Sequence, residues 1–240
     1  MYSKILERKV KNKDFFMSLI AGELKNKKIS FVNPFSYKVI CNNDDVINEV
    51  DYWFSDGILL TLLMNFFNSS KIDRVSFDFS SIADDFFSYA ELCGLNLAII
   101  GAKDNEITKA VDHIRQQYPK LKVAYYRDGY FDINDEDVFN NMKSLGVEVL
   151  LVGMGTPYQE QFIIEASKRM DSILSITCGG FLTQTAMSGD YYHPLVKKFG
   201  LRWLQRAILH KHVRKRLLHD YPIFIFSYIF SRLHSKIFGN

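Results

Sequence analysis

The chain reads as short apolar runs set between longer amphipathic stretches. Ile29-Ser-Phe-Val32, Asn96-Leu-Ala-Ile-Ile100, Leu121–Tyr125, Val147-Glu-Val-Leu-Leu-Val152 and Ser172–Thr177 are four to six residues long and mostly apolar, which predicts buried strands. Arg74-Val-Ser-Phe-Asp78 has the pattern of another. Helical spacing is predicted over Asp44–Trp53, Ile58–Phe67, Ala83–Leu92, Asp104–Tyr118, Asp135–Leu145 and Tyr158–Met170. Asp104 stands where a helix cap belongs, Pro119 lies just beyond that helix, Gly146 closes the next, and Pro157 sits in the entry turn of the last. Continuous apolar strands alternating with helices of ten to fifteen residues predict βαβ units, so the fold class is α/β, a parallel sheet with helices on both faces. Ligands of such sheets bind outside the carboxyl ends of the strands. The loops after Val32, Asp78, Ile100, Val152 and Thr177 are therefore where chemistry is expected.

The pattern changes near residue 197. Arg202–Leu218 reads as a helix in which Trp203, Leu204, Ala207, Ile208, Val213, Leu217 and Leu218 stand among bases; Pro222 breaks it, and the apolar run Ile223–Phe230 follows. That run is too short to span a bilayer, and no run of about 18 apolar residues exists. Two units are expected: an α/β domain over 1–196 and a basic amphipathic appendage over 197–240. The whole chain carries a net charge of +3, but the appendage has ten Lys and Arg against the single acid Asp220, a net +9, which leaves −6 on the body. Basic charge interleaved with aromatic and aliphatic side chains is the composition of an interfacial segment facing anionic headgroups or phosphates. A helix pair docked on the body with its bases solvated is the plainer alternative. Nucleic acid is disfavoured because no recognised binding motif accompanies the charge.

Composition adds exclusions. With 48% hydrophobic and 24% charged residues the chain is neither disordered nor low-complexity. Its three cysteines (Cys41, Cys93, Cys178) are far apart, which argues against a disulfide scaffold or a cysteine metal site and fits a reducing compartment. Met1–Lys13 lacks the apolar core of a signal peptide. Four of the six histidines fall in the basic tail, and no metal is expected.

Four loops could carry chemistry. In Leu151-Val-Gly-Met-Gly-Thr-Pro-Tyr-Gln-Glu-Gln161, Gly153 and Gly155 permit close backbone approach, and a helix start follows whose free N–H groups suit a phosphate; Gln159 and Glu160 could read a sugar hydroxyl or a base. It is neither a Walker loop nor GxGxxG, and a tight turn with surface polar residues is the plain alternative. Cys178-Gly-Gly-Phe-Leu-Thr-Gln-Thr185 likewise opens from a strand onto glycines, Gly179 and Gly180. Asp56, in Ser55-Asp-Gly57, is either a helix cap or a general base for an acceptor hydroxyl. Asp78 is the other carboxylate of interest, its plain reading being the cap of the next turn. Asp128-Gly-Tyr-Phe131 is placed to line a pocket. No GxSxG elbow supports serine hydrolase chemistry.

Taken in order, Asn33-Pro34, Asp56-Gly57, Gly155-Thr-Pro-Tyr-Gln-Glu160, Gly179-Gly180 and Gly200-Leu-Arg-Trp-Leu-Gln-Arg206 resemble the WecG/TagA/CpsF family of bacterial glycosyltransferases over about residues 28–220. The resemblance implies a Rossmann-like domain with a C-terminal membrane-associating appendage. It further implies inverting transfer from a UDP-sugar to a polyprenyl-diphosphate-linked saccharide, by a protein bound peripherally at the cytoplasmic face of the cell membrane. On this resemblance Asp56 is the catalytic base. Asn33, Asp78, Gly153, Gly155, Pro157, Gln159, Glu160, Gly179 and Gly180 bind the nucleotide sugar, and Arg202, Arg206, Arg214 and Arg216 meet the acceptor diphosphate. No cofactor is implied, and self-association into a homo-oligomer is an open alternative. The chain departs from the family pattern at Phe31, Leu59 and Thr183, which bears on the sugar donated. A non-catalytic subunit that enhances a partner glycosyltransferase is the competing reading; a dinucleotide-binding enzyme would lack both its GxGxxG motif and a use for the tail.

Overall fold

The computed structural model of the chain describes residues 2–22, 26–187, 208, 214 and 216–238. Among these, seven strands form one parallel sheet: β1 (Val10–Lys11), β2 (Lys28–Val32), β3 (Tyr52–Ser55), β4 (Asn96–Gly101), β5 (Lys122–Arg127), β6 (Val149–Gly153) and β7 (Leu174–Thr177). Their order is β1-β3-β2-β7-β6-β4-β5. The helices are α1 (Lys4–Lys9), α2 (Lys13–Ala21), α3 (Pro34–Ile40), α4 (Asp44–Glu49), α5 (Ile58–Phe67), α6 (Ala83–Cys93), α7 (Asp104–Gln117), α8 (Glu136–Ser144), α9 (Tyr158–Arg169), α10 (Phe181–Met187) and α11 (Tyr221–Phe238). The α/β, Rossmann-like architecture expected from the sequence is the one observed.

Strand alternation divides the core between two layers. Ile29, Phe31, Phe54, Ile99, Leu151 and Ile176 pack beneath α2, α6, α7 and α10. Val32, Trp53, Ala98, Ile100, Leu150 and Val152 pack beneath α3, α4, α5, α8, α9 and α11. The helices leaving β4 and β7 thus lie on one face, and those leaving β2, β3 and β6 on the other. Loops after the neighbours β2 and β7, β7 and β6, and β6 and β4 thus part to opposite faces at the carboxyl edge, the place where such sheets take their ligands.

The predicted strands β2, β4, β5, β6 and β7 and helices α5 to α9 are present with small shifts at their ends. Four expectations change. Arg74–Asp78 is not a strand: β3 is already flanked by β1 and β2, and the segment makes one ladder-like bond, Val75 N–H to the Ser55 carbonyl at 2.9 Å. Trp53 is not helical. Lys9 Nζ donates to the carbonyls of Ile47 and Val50, each at 2.9 Å, and closes α4 ahead of it, so Tyr52-Trp-Phe is free to pair as β3. The cap of α7 is Lys103 rather than Asp104, because Glu106 reaches back to the Lys103 N–H at 3.2 Å. Pro222 sits in the first turn of α11, where its missing N–H is not needed, so Ile223–Phe230 is helical.

The sequence reading also missed α1, α2, α3, α10, β1 and β3. The predicted helix Arg202–Leu218 lies outside the described residues except at 208, 214 and 216–218, and a π-helical turn, Arg216–Asp220, leads into α11.

α11 docks on the body through buried groups. Phe224 and Tyr228 pack on Tyr37, and Tyr228 also meets Phe67. Arg232 pairs with Glu7 Oε2 at 3.3 Å, donates to the Tyr2 hydroxyl at 2.6 Å and to Asn68 Oδ1, and lies over the Tyr2 and Phe67 rings. Tyr37, Tyr228 and Asn68 also donate to the Glu7 carboxylate. The opposite side of α11 is apolar and exposed: Ile223, Phe226, Phe230, Leu233 and Ile237. Among the described residues no helix is long and apolar enough to cross a membrane.

Candidate functional site

Four adjacent strands, β3, β2, β7 and β6, deliver most of the expected residues to one edge. Three spacings of about 4.8 Å separate them, so their ends span roughly 15 Å.

At the β3 end, Asp56 N–H donates to the Val32 carbonyl at 2.7 Å, which ties the turn to β2. Asp56 does not cap α5. The cap position is Gly57, with no side-chain bond and φ +113°, a conformation that glycine adopts readily and other residues rarely. The Asp56 carboxylate is half-exposed and 3.6 Å from Arg74 Nη2; the same nitrogen is 3.2 Å from Asp78 Oδ2. Arg74, absent from the sequence-based site, thus stands between the two carboxylates. Asp78 also accepts from the N–H (2.8 Å) and hydroxyl of Ser80, as expected of a turn cap. Burial pushes the Asp78 carboxyl up, but the Ser80 bonds and the Arg74 charge outweigh it and hold it below the usual range.

At the β2 end, Asn33 Oδ1 accepts from Phe35 N–H and Ser36 N–H, both at 3.0 Å, and the Ser36 hydroxyl returns a bond to the Asn33 N–H at 2.9 Å. This capping box, with Pro34 behind it, builds α3. The Asn33 loop lies against the Asp56 loop: a Cβ on Gly57 would be 3.6 Å from Pro34 Cδ.

At the centre the backbones crowd together. A Cβ on Gly101 would sit 2.4 Å from the Gly153 carbonyl oxygen, and one on Gly153 would sit 2.8 Å from that of Gly179, so side chains are excluded from the floor. Above it, Gly155 faces open space among the described residues. Pro157, in cis linkage to Thr156, occupies the cap position of α9, which has no side-chain cap. Gly179 and Gly180 form the corresponding turn into α10.

Gln159 and Glu160 are not surface residues. They are 3% and 0% exposed. Glu160 Oε1 accepts from Ser30 Oγ and from Gln159 Nε2, each at 2.8 Å, and Ser30 in turn lies 2.8 Å from Thr177 Oγ1. Burial pushes the Glu160 carboxyl above its ordinary range against these bonds. Ser30 and Thr177 were missed, although hydroxyls in otherwise apolar buried strands were the available signal.

Asp56, Asn33, Asp78 and the two glycine turns are therefore gathered at one edge. Of the tail arginines, Arg202 and Arg206 lie outside the described residues. Arg214 is exposed and donates to the Ile208 carbonyl at 3.0 Å, and Arg216 opens the π-helical turn. Exposed aromatics, Tyr130 and Tyr158, stand on the loop after β5 and at the start of α9. The arrangement offers a carboxylate at one end and a glycine turn with a helix start at the other, the requirements of proton abstraction beside a bound anion.

Comparison with known proteins agrees with this chemistry. A UDP-Gal:alpha-D-GlcNAc-diphosphoundecaprenol beta-1,4-galactosyltransferase from Shigella boydii is 42% identical over 221 residues, covering 90% of this chain and 92% of that protein. An N-acetylglucosaminyldiphosphoundecaprenol N-acetyl-beta-D-mannosaminyltransferase from Staphylococcus aureus is 25% identical over 184 residues, covering 76% and 70% respectively. The profile of the glycosyl transferase WecG/TagA/CpsF family matches residues 5–237, and the chain belongs to that family.

Proposed function

We propose that this chain transfers galactose from UDP-galactose to a polyprenyl-diphosphate-linked GlcNAc, inverting the anomeric carbon, at the cytoplasmic face of the membrane. The donor and acceptor follow those in the name of the Shigella boydii relative. The observation that carries the mechanism is the placement of Asp56, Asn33, Gly179–Gly180 and Gly153–Glu160 on four neighbouring strand ends.

In this reading the UDP diphosphate sits at the β6–α9 turn, against backbone N–H groups and the positive end of the α9 dipole. The acceptor enters from the β3 end. Asp56 removes the proton of its hydroxyl, the oxygen forms the new bond to the anomeric carbon, and the bond to UDP breaks with its electron pair leaving on the phosphate. A β product from an α-linked nucleotide sugar requires this single displacement from the opposite face. Arg74 fixes the Asp56 carboxylate in place. Because Asn33 Oδ1 is committed to the α3 cap, the NH2 of Asn33 is the group assigned to the donor.

Residues 197–240 serve as the membrane-associating segment beside a catalytic domain over 1–196. Arg202, Arg206, Arg214 and Arg216 are assigned to the acceptor diphosphate, which guanidinium groups pair bidentately. The exposed stripe on α11 meets the lipid.

The test offers UDP-galactose and other UDP-sugars with a detergent-solubilised polyprenyl-diphosphate GlcNAc to wild type and Asp56→Asn. UDP release is expected from UDP-galactose only when acceptor is present. Asp56→Asn should keep donor binding and lose about 100-fold or more in rate. Near-normal turnover in that variant would remove Asp56 as the base.

A further inference from the structure

Among the described residues, two side-chain oxygens beneath the β6–α9 turn have no hydrogen-bond partner although both are sealed from solvent: Gln159 Oε1 and Glu160 Oε2. A bare buried acceptor costs about 1–3 kcal/mol, so keeping one asks for a use. The other polar atoms of the pair define the geometry. Glu160 Oε1 accepts from Ser30 Oγ (2.8 Å), Gln159 Nε2 (2.8 Å) and Thr156 Oγ1 (3.4 Å). Ser30 has one proton and directs it at Glu160, so the Thr177 hydroxyl, 2.8 Å away, donates to Ser30. All these donors converge on one carboxylate oxygen, and among the described residues no cation pairs with it.

We propose that Glu160 is a positioning residue that fixes which end of the Gln159 amide faces the nucleotide sugar. Glu160 Oε1, which already takes the Ser30 proton, acts here only as an acceptor, so the amide must turn its NH2 toward Glu160 and hold its carbonyl oxygen on the far side. Without Glu160 the two ends of the amide are nearly equivalent in shape and could exchange. With it, the group offered when a bound ligand parts the cover over this buried amide is an acceptor, which selects a donor on the ligand, a sugar hydroxyl or an imide N–H. Gly155, whose carbonyl accepts from the Gln159 N–H at 3.0 Å, marks the open side of the turn: among the described residues an added Cβ there would meet nothing within 4 Å. This inference rests on the β6–α9 turn being the donor site.

The test is calorimetric titration of the full chain with UDP and with UDP-galactose. Glu160→Met, a neutral side chain of similar length, should weaken binding about tenfold, the effect of one misdirected hydrogen bond. Glu160→Gln, whose carbonyl still accepts from Gln159, should recover most of that loss. In a Gln159→Ala background Glu160→Met should cost nothing further, because the group it positions is gone. If Glu160→Met does not fold, the exchanged pair Gln159→Glu/Glu160→Gln keeps the same charge and the same internal hydrogen bond, and should bind better than Gln159→Glu alone. An effect on UDP itself places the recognised group in the nucleotide; an effect confined to UDP-galactose places it on the sugar. Equal losses from Glu160→Met in the two backgrounds, or no loss in either, overturn the positioning role while leaving the donor site standing. Failure of the wild type to bind either ligand overturns the donor site and the inference together.

Discussion

Glu160 also has a consequence for stability at the level of a single group. Burial raises its carboxyl above the ordinary 4.5, and the bonds from Gln159 and Ser30 only partly offset this. A folded value above the unfolded one means that its contribution is fully present below about pH 4.5 and is lost as pH rises through the folded value. Asp78 has the opposite sign: its lowered carboxyl contributes above its ordinary range and loses that contribution only in acid. The two are therefore separable by pH. Glutamine at position 160 does not titrate, so the stability of Glu160→Gln relative to wild type should improve as pH rises from ~5 to ~8. Thermal unfolding of both proteins across that range checks it, and a difference independent of pH would mean that Glu160 titrates alike in the folded and unfolded chain.

At the scale of elements, α11 is held by a buried ion pair rather than by grease alone. Arg232 is 8% exposed, and the Glu7 side chain 5%. Removing one member of such a pair leaves a buried charge uncompensated, at about 3–5 kcal/mol. Arg232→Met should lose about that much in urea unfolding, and Glu7→Gln/Arg232→Met should recover part of it; equal losses in the single and double variants would show that packing alone is at stake. This latch illustrates what the sequence conceals. The central strands were legible because Leu97–Ile100 and Val149–Val152 are apolar on both faces, and α7 and α9 because their amphipathic pattern runs beyond three turns. α3 could have been read from Asn33-Pro34-Phe-Ser36, which carries its own cap. β3 could not be separated from α4 by pattern, since what ends α4 is Lys9, about forty residues earlier. The same distinction holds in the site. Asp56 and the Gly153–Glu160 turn are local motifs and were legible. Arg74 joins Asp56 only through a loop, and an acid in the first turn of a helix reads as dipole complement, so the burial of Glu160 depends on the distant hydroxyl of Ser30.

For the whole molecule, the proposed membrane face extends beyond α11. Ile223, Phe226, Phe230, Leu233 and Ile237 recur at alternating spacings of three and four and are all exposed, while Phe224 and Tyr228 on the other side are buried. α5 ends beside α11, where Phe67 meets Tyr228, and its own Ile58, Leu62 and Phe66 are exposed. Since α5 begins at Ile58, just past the Asp56-Gly57 turn, this apolar surface runs about 15 Å from the proposed base to the tail helix. A lipid-linked acceptor held in a bilayer against that surface would bring its saccharide to the carboxyl edge of the sheet. Charge acts in the same direction, with +9 on residues 197–240 and −6 on the remainder, which turns the tail toward an anionic surface. The two contributions separate by experiment. Phe226→Gln/Phe230→Gln removes two insertable rings without adding charge and without touching the docked side of α11, so unfolding should be unchanged. Burying each ring is worth roughly 1.5 kcal/mol or more, so binding to vesicles containing anionic lipid should fall on the order of 100-fold. Raising salt should weaken the wild type further by screening the basic tail. Turnover of a short-chain, water-soluble acceptor should survive the double substitution, because the strand ends that hold Asp56 and the glycine turns are untouched. Unchanged vesicle binding in the double variant would sink the proposed membrane face, and loss of the soluble-acceptor reaction would show that the stripe acts on the site itself.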